Sequence, residues 1–212
     1  FVHAKNKPPR EIPLEEDEQL KVLRYVSENL PGQALELQFS TGELTVHPHR
    51  EEILAHFEHY QTMLFTNAGI YNEKIAALMA EGKLSIVVSM DSGTGETFRT
   101  IKGVDLYDQV CENLRRYAAT GGCIALKYIM LPGINDNAAD ADGFLNLAAD
   151  LGAVVQLSND TRTKCAPLSG RARDIVCRIA EGARRANLLV IHEHEVFAPV
   201  DNDRIAEVLR NG

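Results

Sequence analysis

One apolar run that encloses a lysine constrains the fold of this chain more than any other feature. The stretch 125–131 contains Lys127 and is closed by Pro132-Gly133, and a helical pattern begins after Asn137. Such a run, ended by a turn and a helix cap, indicates a central parallel strand that leads into a helix. A lysine in this strand must meet an anion, because a lone buried ammonium is costly or loses its proton. That anion is either a carboxylate on a neighbouring strand or part of a ligand.

Length, composition and charge limit the class of protein. The chain has 212 residues, is 45% hydrophobic and 25% charged, and carries a net charge of -8. This size and composition predict one α/β domain. The negative charge argues against nucleic acid and anionic membranes as partners and favours small molecules or proteins. No apolar run is long enough to span a bilayer or forms a signal peptide, so a cytoplasmic location is expected.

Strand patterns alternate with helical patterns along the whole chain. The predicted first helix covers 14–30, and the predicted strands cover 35–40, 63–66, 84–90, 125–131, 154–158 and 188–196. Asn72 and Asp105 are the predicted caps of two of the intervening helices. This rhythm predicts a parallel sheet with right-handed crossovers, either open or bent into a full or partial barrel.

The polar residues of these strands share one face of the predicted sheet. They are Glu36, Gln38, Ser40, Ser85, Ser89, Asp91, Lys127, Gln156 and Ser158, at alternating positions. An open doubly wound sheet is apolar on both faces, whereas a partly open barrel can hold polar residues inside, so this parity favours the barrel. Ligands of such folds bind at the carboxyl ends of the strands. Charged residues at strand ends, such as Glu43 and Asp91, are expected to stay partly exposed to solvent.

Four short motifs follow the predicted strands in order. They are Ser-Thr-Gly-Glu-Leu-Thr-Val-His-Pro at 40–48, Thr-Asn-Ala-Gly at 66–69, Ser-Met-Asp-Ser-Gly-Thr at 89–94 with a following Glu-Thr-Phe, and Lys-Tyr-Ile-Met-Leu-Pro-Gly at 127–133. In them the chain resembles the radical S-adenosylmethionine (SAM) enzymes, whose first motif is a Gly-Gly-Glu-Pro-type loop. The resemblance implies an α/β fold of the radical SAM type: a TIM-barrel-like partial (β/α) barrel with parallel strands. It implies one domain over 1–212, in which 159–212 faces the substrate.

The resemblance also implies a set of cofactor-binding residues. These are Thr41, Gly42, Glu43, Asn67, Ser89, Asp91 and Lys127. Gly42 and Glu43 would hold the methionine amino group of SAM, Ser89 and Asp91 would face the ribose or a nearby polar group, and Lys127 would approach the carboxylate. In one departure, Ser40-Thr41 stands where the family often has Gly, which narrows the access of the backbone to the ligand.

The larger departure concerns the [4Fe-4S] cluster, which the family holds with three cysteines spaced CxxxCxxC. The four cysteines of this chain, Cys111, Cys123, Cys165 and Cys177, form no such triplet, and only soft anionic sulfur holds this cluster. We therefore expect that the amino-terminal strand and cluster loop are missing here and that the cluster ligands lie upstream. Residues 1–212 alone should neither bind the cluster nor cleave SAM.

Three functions follow from these features. The leading one is reductive cleavage of SAM beside the cluster, which yields a 5′-deoxyadenosyl radical that abstracts hydrogen from an unidentified small-molecule or peptide substrate, with flavodoxin or ferredoxin as electron donor. The second is an aldolase-like barrel in which Lys127 forms a Schiff base. The third is a cluster-free nucleotide-binding or scaffold module. The sequence predicts no catalytic residue and no substrate.

Histidines and one loop cysteine remain outside these motifs. His47, His49, His56 and His59 are expected to be solvated or to cap helices, and His-Glu-His-Glu at 192–195 is typical of a strand edge with one wet face. Cys165 is expected to be an ordinary loop cysteine. No metal ligand is predicted, because a third ligand cannot be assigned to either histidine group.

Overall fold

A computed structural model describes residues 18–30, 36–40, 42–163 and 165–210 of the chain. Thr41 and the predicted starts of the first helix and the first strand lie outside this range. The helices within it are α1 (Glu18–Asn29), α2 (Arg50–Phe57), α3 (Glu73–Ala80), α4 (Gly95–Lys102), α5 (Tyr107–Ala118), α6 (Ala138–Leu151), α7 (Gly170–Arg185) and α8 (Pro199–Arg210). The strands are β1 (Glu36–Phe39), β2 (Gln61–Phe65), β3 (Leu84–Ser89), β4 (Ile124–Met130), β5 (Val154–Asn159) and β6 (Val190–His192).

The six strands form one parallel sheet whose spatial order equals their order in the chain, from β1 to β6. With right-handed crossovers, a sheet of this order has its helices on a single face and curls around the other face. The fold is therefore a partial (β/α) barrel with parallel strands, as the sequence predicted.

Burial separates the two faces of the sheet. Alternate strand residues such as Ile86, Val88, Leu126, Tyr128 and Leu157 are fully buried under the helices. Among the residues between them, Ser89, Lys127 and Gln156 stay partly exposed, and the register aligns these three in one row across β3, β4 and β5. We call this second face the concave face. The predicted polar parity of the strands is thus confirmed for these residues.

Two local predictions for helix starts had different outcomes. Asn72 caps α3, because its Oδ1 accepts the backbone N–H groups of Lys74 and Ile75. The predicted cap Asp105 is wrong: α5 begins at Tyr107 after an N-cap residue, Leu106, that makes no side-chain cap.

Strand β6 is shorter than the sequence predicted. It ends at His192, and the chain enters a 3₁₀ turn at His194–Val196. The ladder continues by one bond, from the Glu193 N–H to the Leu157 carbonyl at 3.0 Å. Glu193 therefore directly follows the strand, at its carboxyl end. Among the described residues, no helix combines the length and the apolar character that a membrane span requires.

Candidate functional site

The side chain of Glu43 is held at the carboxyl ends of β1 and β2. Its Oε1 accepts hydrogen bonds from the backbone N–H of Thr45 at 3.2 Å and from the Thr45 hydroxyl at 2.8 Å. The Thr66 hydroxyl lies 2.8 Å and 3.1 Å from the two carboxylate oxygens, and the Asn67 N–H donates to Oε2 at 2.7 Å. Thr45 is buried while Glu43 remains partly exposed. The carboxylate is therefore oriented by the protein and still accessible to solvent.

The loops around Glu43 contain three further predicted residues. Gly42 has a φ of 71°, the left-handed conformation that glycine adopts without strain, and this turns the chain directly before Glu43. Asn67 is exposed, and its Oδ1 accepts the N–H of Gly69 at 2.8 Å, which fixes the turn after β2. Thr41 lies outside the described residues. The structure thus brings Gly42, Glu43 and the Asn67 backbone together.

Asp91 does not have the environment that the sequence predicted. The N–H groups of Met90 and Asp91 both approach the Lys127 carbonyl, at 3.0 Å and 3.3 Å, so β3 ends in a bulge, and Asp91 has a φ of 57°. The bulge breaks the alternation, and the Asp91 carboxylate accepts the N–H of Ile129 at 2.9 Å and the ammonium of Lys102 at 2.7 Å. Asp91 is only 3% exposed. The expectation that the Asp91 carboxylate is partly exposed to solvent is therefore wrong, while the contact of Asp91 with a cofactor stays a prediction.

Two buried polar residues that the sequence analysis did not single out support the loop after β3. Asp140, in α6, accepts the N–H groups of Gly93 and Thr94 at 3.0 Å and 3.1 Å. Asn135 donates to the carbonyls of Asp91 and Ile129, both at 2.8 Å. Asn135 belongs to the Asn-Asp-Asn run at 135–137, where the sequence pattern predicted only a helix cap. This run also joins the ends of β3 and β4.

Lys127 meets its anion inside the protein. Its Nζ lies 2.6 Å from Oε1 of Glu193, which also accepts the Gln156 amide at 2.6 Å, and the Ser158 hydroxyl donates to Oε2. Burial alone would raise the pKa of the Glu193 carboxyl, but the hydrogen bonds from Lys127, Ser158 and Gln156 and the positive charge of Lys127 together lower this pKa. Of the two anions considered for Lys127, the structure contains the carboxylate of the protein. The predicted approach of Lys127 to a cofactor carboxylate stays a prediction.

The polar residues at this edge of the sheet form two groups. Glu43 contacts residues at the end of β2, whereas the Lys127 ammonium turns toward β6. Ser89 lies between the groups, on β3 beside Lys127. Glu193 was not predicted as a site residue, because His-Glu-His-Glu at 192–195 is also typical of the solvent-exposed edge of a longer strand. Its position after an apolar strand, like that of Glu43, was the available signal.

The four cysteines are free thiols at separate places in the fold. Cys111 lies in α5, Cys123 just before β4, Cys165 in the exposed loop after β5, and Cys177 in α7. Burial raises the pKa of the Cys111 and Cys177 thiols, which keeps both protonated. No three His, Cys, Asp or Glu side chains among the described residues are grouped to hold a metal ion. These residues therefore do not fit a [4Fe-4S] cluster.

Solved structures share this fold, although sequence comparison finds no relatives: no protein-family model and no curated protein matches the chain. Streptococcus suis SuiB bound to S-adenosylmethionine has a TM-score of 0.63 at 13% identity, over 83% of this chain and 43% of its own. A domain of pyruvate-formate lyase-activating enzyme from Bacteroides vulgatus ATCC 8482 has a TM-score of 0.58 at 15% identity, over 76% of this chain and 99% of its own. Native anSMEcpe with bound AdoMet has a TM-score of 0.58 at 14% identity, over 84% of this chain and 55% of its own.

This chain thus spans about two fifths of SuiB and about half of anSMEcpe. Identities this low show the fold alone, and the fold agrees with the order and direction of the six strands. The chain has the partial (β/α) barrel fold of radical SAM enzymes.

Proposed function

We propose that this chain is the core of a radical SAM enzyme and that it binds SAM at the Glu43 end of the concave face. The observation that carries the proposal is the Glu43 carboxylate, which Thr45, Thr66 and the Asn67 N–H orient at the carboxyl ends of β1 and β2. The comparison with solved structures supports this proposal, because SuiB and anSMEcpe share the fold and were solved with S-adenosylmethionine bound.

The residues at this end fit the methionine part of SAM. Oε1 of Glu43 accepts from three donors, whereas Oε2 accepts the Asn67 N–H and only a longer bond from the Thr66 hydroxyl, which it shares with Oε1. Since Glu43 is partly exposed, Oε2 is the oxygen with capacity for a further donor from a ligand. A primary ammonium would complete this shell with charge-assisted hydrogen bonds. Ser89 would supply a hydroxyl to the ribose or a neighbouring polar group. The family resemblance implies that a [4Fe-4S] cluster, held by residues outside the described part of this chain, would supply the electron for reductive cleavage of this SAM to a 5′-deoxyadenosyl radical.

The first test is a charge-neutral substitution at Glu43. Glu43→Gln is expected to weaken SAM binding by the chain at least about tenfold, because a charge-assisted hydrogen bond is worth about 1.5–3 kcal/mol. The measurement is equilibrium dialysis with SAM, and a thermal melt of each variant checks the fold. Glu36→Gln is the matched control, since Glu36 is exposed on β1 on the same face. Equal affinities for the two variants would remove Glu43 from the proposed site.

The second test concerns the cluster. Because the described residues do not fit a cluster, no radical step is assigned to the present chain. Anaerobic incubation of residues 1–212 with iron and sulfide is expected to give no stoichiometric [4Fe-4S] absorbance and no 5′-deoxyadenosine. The positive control is a radical SAM enzyme that is known to hold the cluster and that is incubated in the same way. A stoichiometric, active cluster on this chain would mean that its ligands have been misassigned.

Substrate, partners and location are also proposals. SuiB was solved with the precursor peptide SuiA, and anSMEcpe with the Cp18Cys peptide. These structures support a peptide or a small molecule as substrate. That residues 159–212 face the substrate rests on the family resemblance alone. Flavodoxin or ferredoxin as electron donor and a cytoplasmic location rest on the sequence analysis. The Schiff-base alternative predicts that borohydride traps a carbonyl substrate on Lys127, and the scaffold alternative predicts no turnover in any form.

A further inference from the structure

A second polar group lies on the concave face, apart from Glu43. We call it the Lys127–Glu193 subsite, and it consists of Lys127, Gln156, Ser158 and Glu193. Glu43 contacts residues at the end of β2, while Lys127 lies on β4 and Glu193 follows β6. Adjacent strands are about 4.8 Å apart, so two strand spacings, about 10 Å, separate the end of β2 from β4. A ligand group held by Glu43 therefore leaves this subsite open to a different group.

The subsite retains both donor and acceptor capacity. An ammonium has three donors, and the hydrogen bond to Glu193 is the one that Lys127 makes within the described residues. A carboxylate has about four acceptor positions, and Oε2 of Glu193 receives the Ser158 hydroxyl alone among the described donors. The side chains of Lys127 and Glu193 are 16% and 24% exposed. Unused donors and an unused acceptor thus lie side by side on a surface that a ligand can reach.

The charges of the subsite select among ligands. Lys127 and Glu193 neutralise each other, so a ligand with a single charge would leave one uncompensated charge in a largely desolvated place, which is costly. A zwitterion keeps the site neutral and gains a charge-assisted hydrogen bond at each end. We propose that the Lys127–Glu193 subsite binds the zwitterionic head of an α-amino acid, with its carboxylate on Lys127 and its ammonium on Glu193.

Apolar side chains flank the subsite on the same face. Ile129 is opposite Ser158 in the register of β4 and β5, and Ile191 is opposite Gln156 in the register of β5 and β6. Ile191 is 48% exposed, so a ligand in the subsite can contact it. These two side chains would pack against the aliphatic side chain of a bound amino acid. That this amino acid is the substrate of the enzyme rests on the proposed function. That the amino acid binds to the subsite does not depend on the proposed function.

The test uses L-leucine and two analogues that each lack one charge. Leucine, 3-methylbutylamine and 4-methylpentanoate are titrated separately into the isotopically labelled chain, and the amide signals of Gln156, Ser158 and Ile191 are followed by NMR. Leucine is expected to shift these signals saturably and to bind at least tenfold more tightly than either analogue. Equal binding of the amine or of the acid overturns the proposal, as does the absence of a saturable shift at these signals.

Variants separate this subsite from the SAM site. Glu193→Gln and the double variant Lys127→Met/Glu193→Met are each expected to weaken leucine binding at least tenfold. The double variant removes both charges together, so it leaves no unpaired charge that could prevent folding. Glu43→Gln is the control and should change leucine binding less than twofold while it weakens SAM binding. Unchanged leucine binding by a folded double variant overturns the proposal.

A SAM titration of the same sample keeps the two proposals distinguishable. SAM is expected to shift the Thr66 and Asn67 amides and to leave those of Gln156 and Ser158 in place. Leucine binding without SAM binding would contradict the proposed function and support the subsite. SAM-induced shifts at Gln156 and Ser158 that compete with leucine would overturn the subsite, because its ligand would then be the methionine head of SAM.

Discussion

Substitution of Gly143 with alanine is expected to destabilise the chain by about 3 kcal/mol, a large value for a one-carbon change. Helix α6 lies with its backbone directly against the loop after β3. A Cβ on Gly143 would lie 2.1 Å from the Gly93 carbonyl oxygen, and a Cβ on Gly93 would lie 2.1 Å from the Asp140 carbonyl oxygen. Neither backbone can rotate away as a side chain can. The clash should therefore outweigh the gain of about 1 kcal/mol that alanine brings to a helix interior.

The matched control is Gly170→Ala. Gly170 is also helical, at the start of α7, and a Cβ there would meet nothing within 4 Å. This variant is expected to stay within about 1 kcal/mol of the parent chain. Urea unfolding followed by far-ultraviolet circular dichroism gives both free energies of unfolding. Equal midpoints for Gly143→Ala and Gly170→Ala would show that α6 can move away from the loop after β3 at little cost.

Asp91→Asn is expected to cost about 3 kcal/mol, the low end for a broken buried ion pair, because the Lys102 ammonium that it leaves unpaired is 27% exposed. The Lys102 ammonium lies 2.7 Å from the Asp91 carboxylate, whose side chain is 4% exposed. An asparagine can still accept the Ile129 N–H through its amide oxygen but cannot neutralise Lys102. Because Asp91 is buried, and not partly exposed as the sequence predicted, loss of stability should exceed any loss of ligand binding.

An exposed ion pair provides the control for Asp91→Asn. The side chains of Arg178 and Asp142 are 51% and 48% exposed at a separation of 2.8 Å, so Asp142→Asn should cost less than about 1 kcal/mol. Lys102→Met in the Asp91→Asn background should recover part of the loss, since no unpaired ammonium then remains. A cost for Asp91→Asn no larger than that for Asp142→Asn would contradict a structural role for this pair.

Local patterns in the sequence determined the elements and their order. The start of helix α6 after Asn137 was predicted correctly, and the Asn72 cap was found from a residue type that commonly begins helices. The alternation of Ser85, Ser89, Lys127 and Gln156 predicted which side of the sheet would be polar, because side-chain direction in a strand has a period of two residues. These properties depend on a few consecutive residues, so a single sequence contains them.

Only the tertiary structure decided which side chains meet. Glu193 lies 66 residues from Lys127 in sequence, and Thr66 lies 23 residues from Glu43. Such contacts depend on strand register and on the curvature of the sheet, which no local pattern specifies. The bulge at the end of β3 likewise depends on pairing with β4, and it turned Asp91 from the predicted wet position into a buried ion pair with Lys102. The sequence alone thus determined the scaffold and the polar face of the sheet, and the partner of each charge followed from contacts between segments distant in the chain.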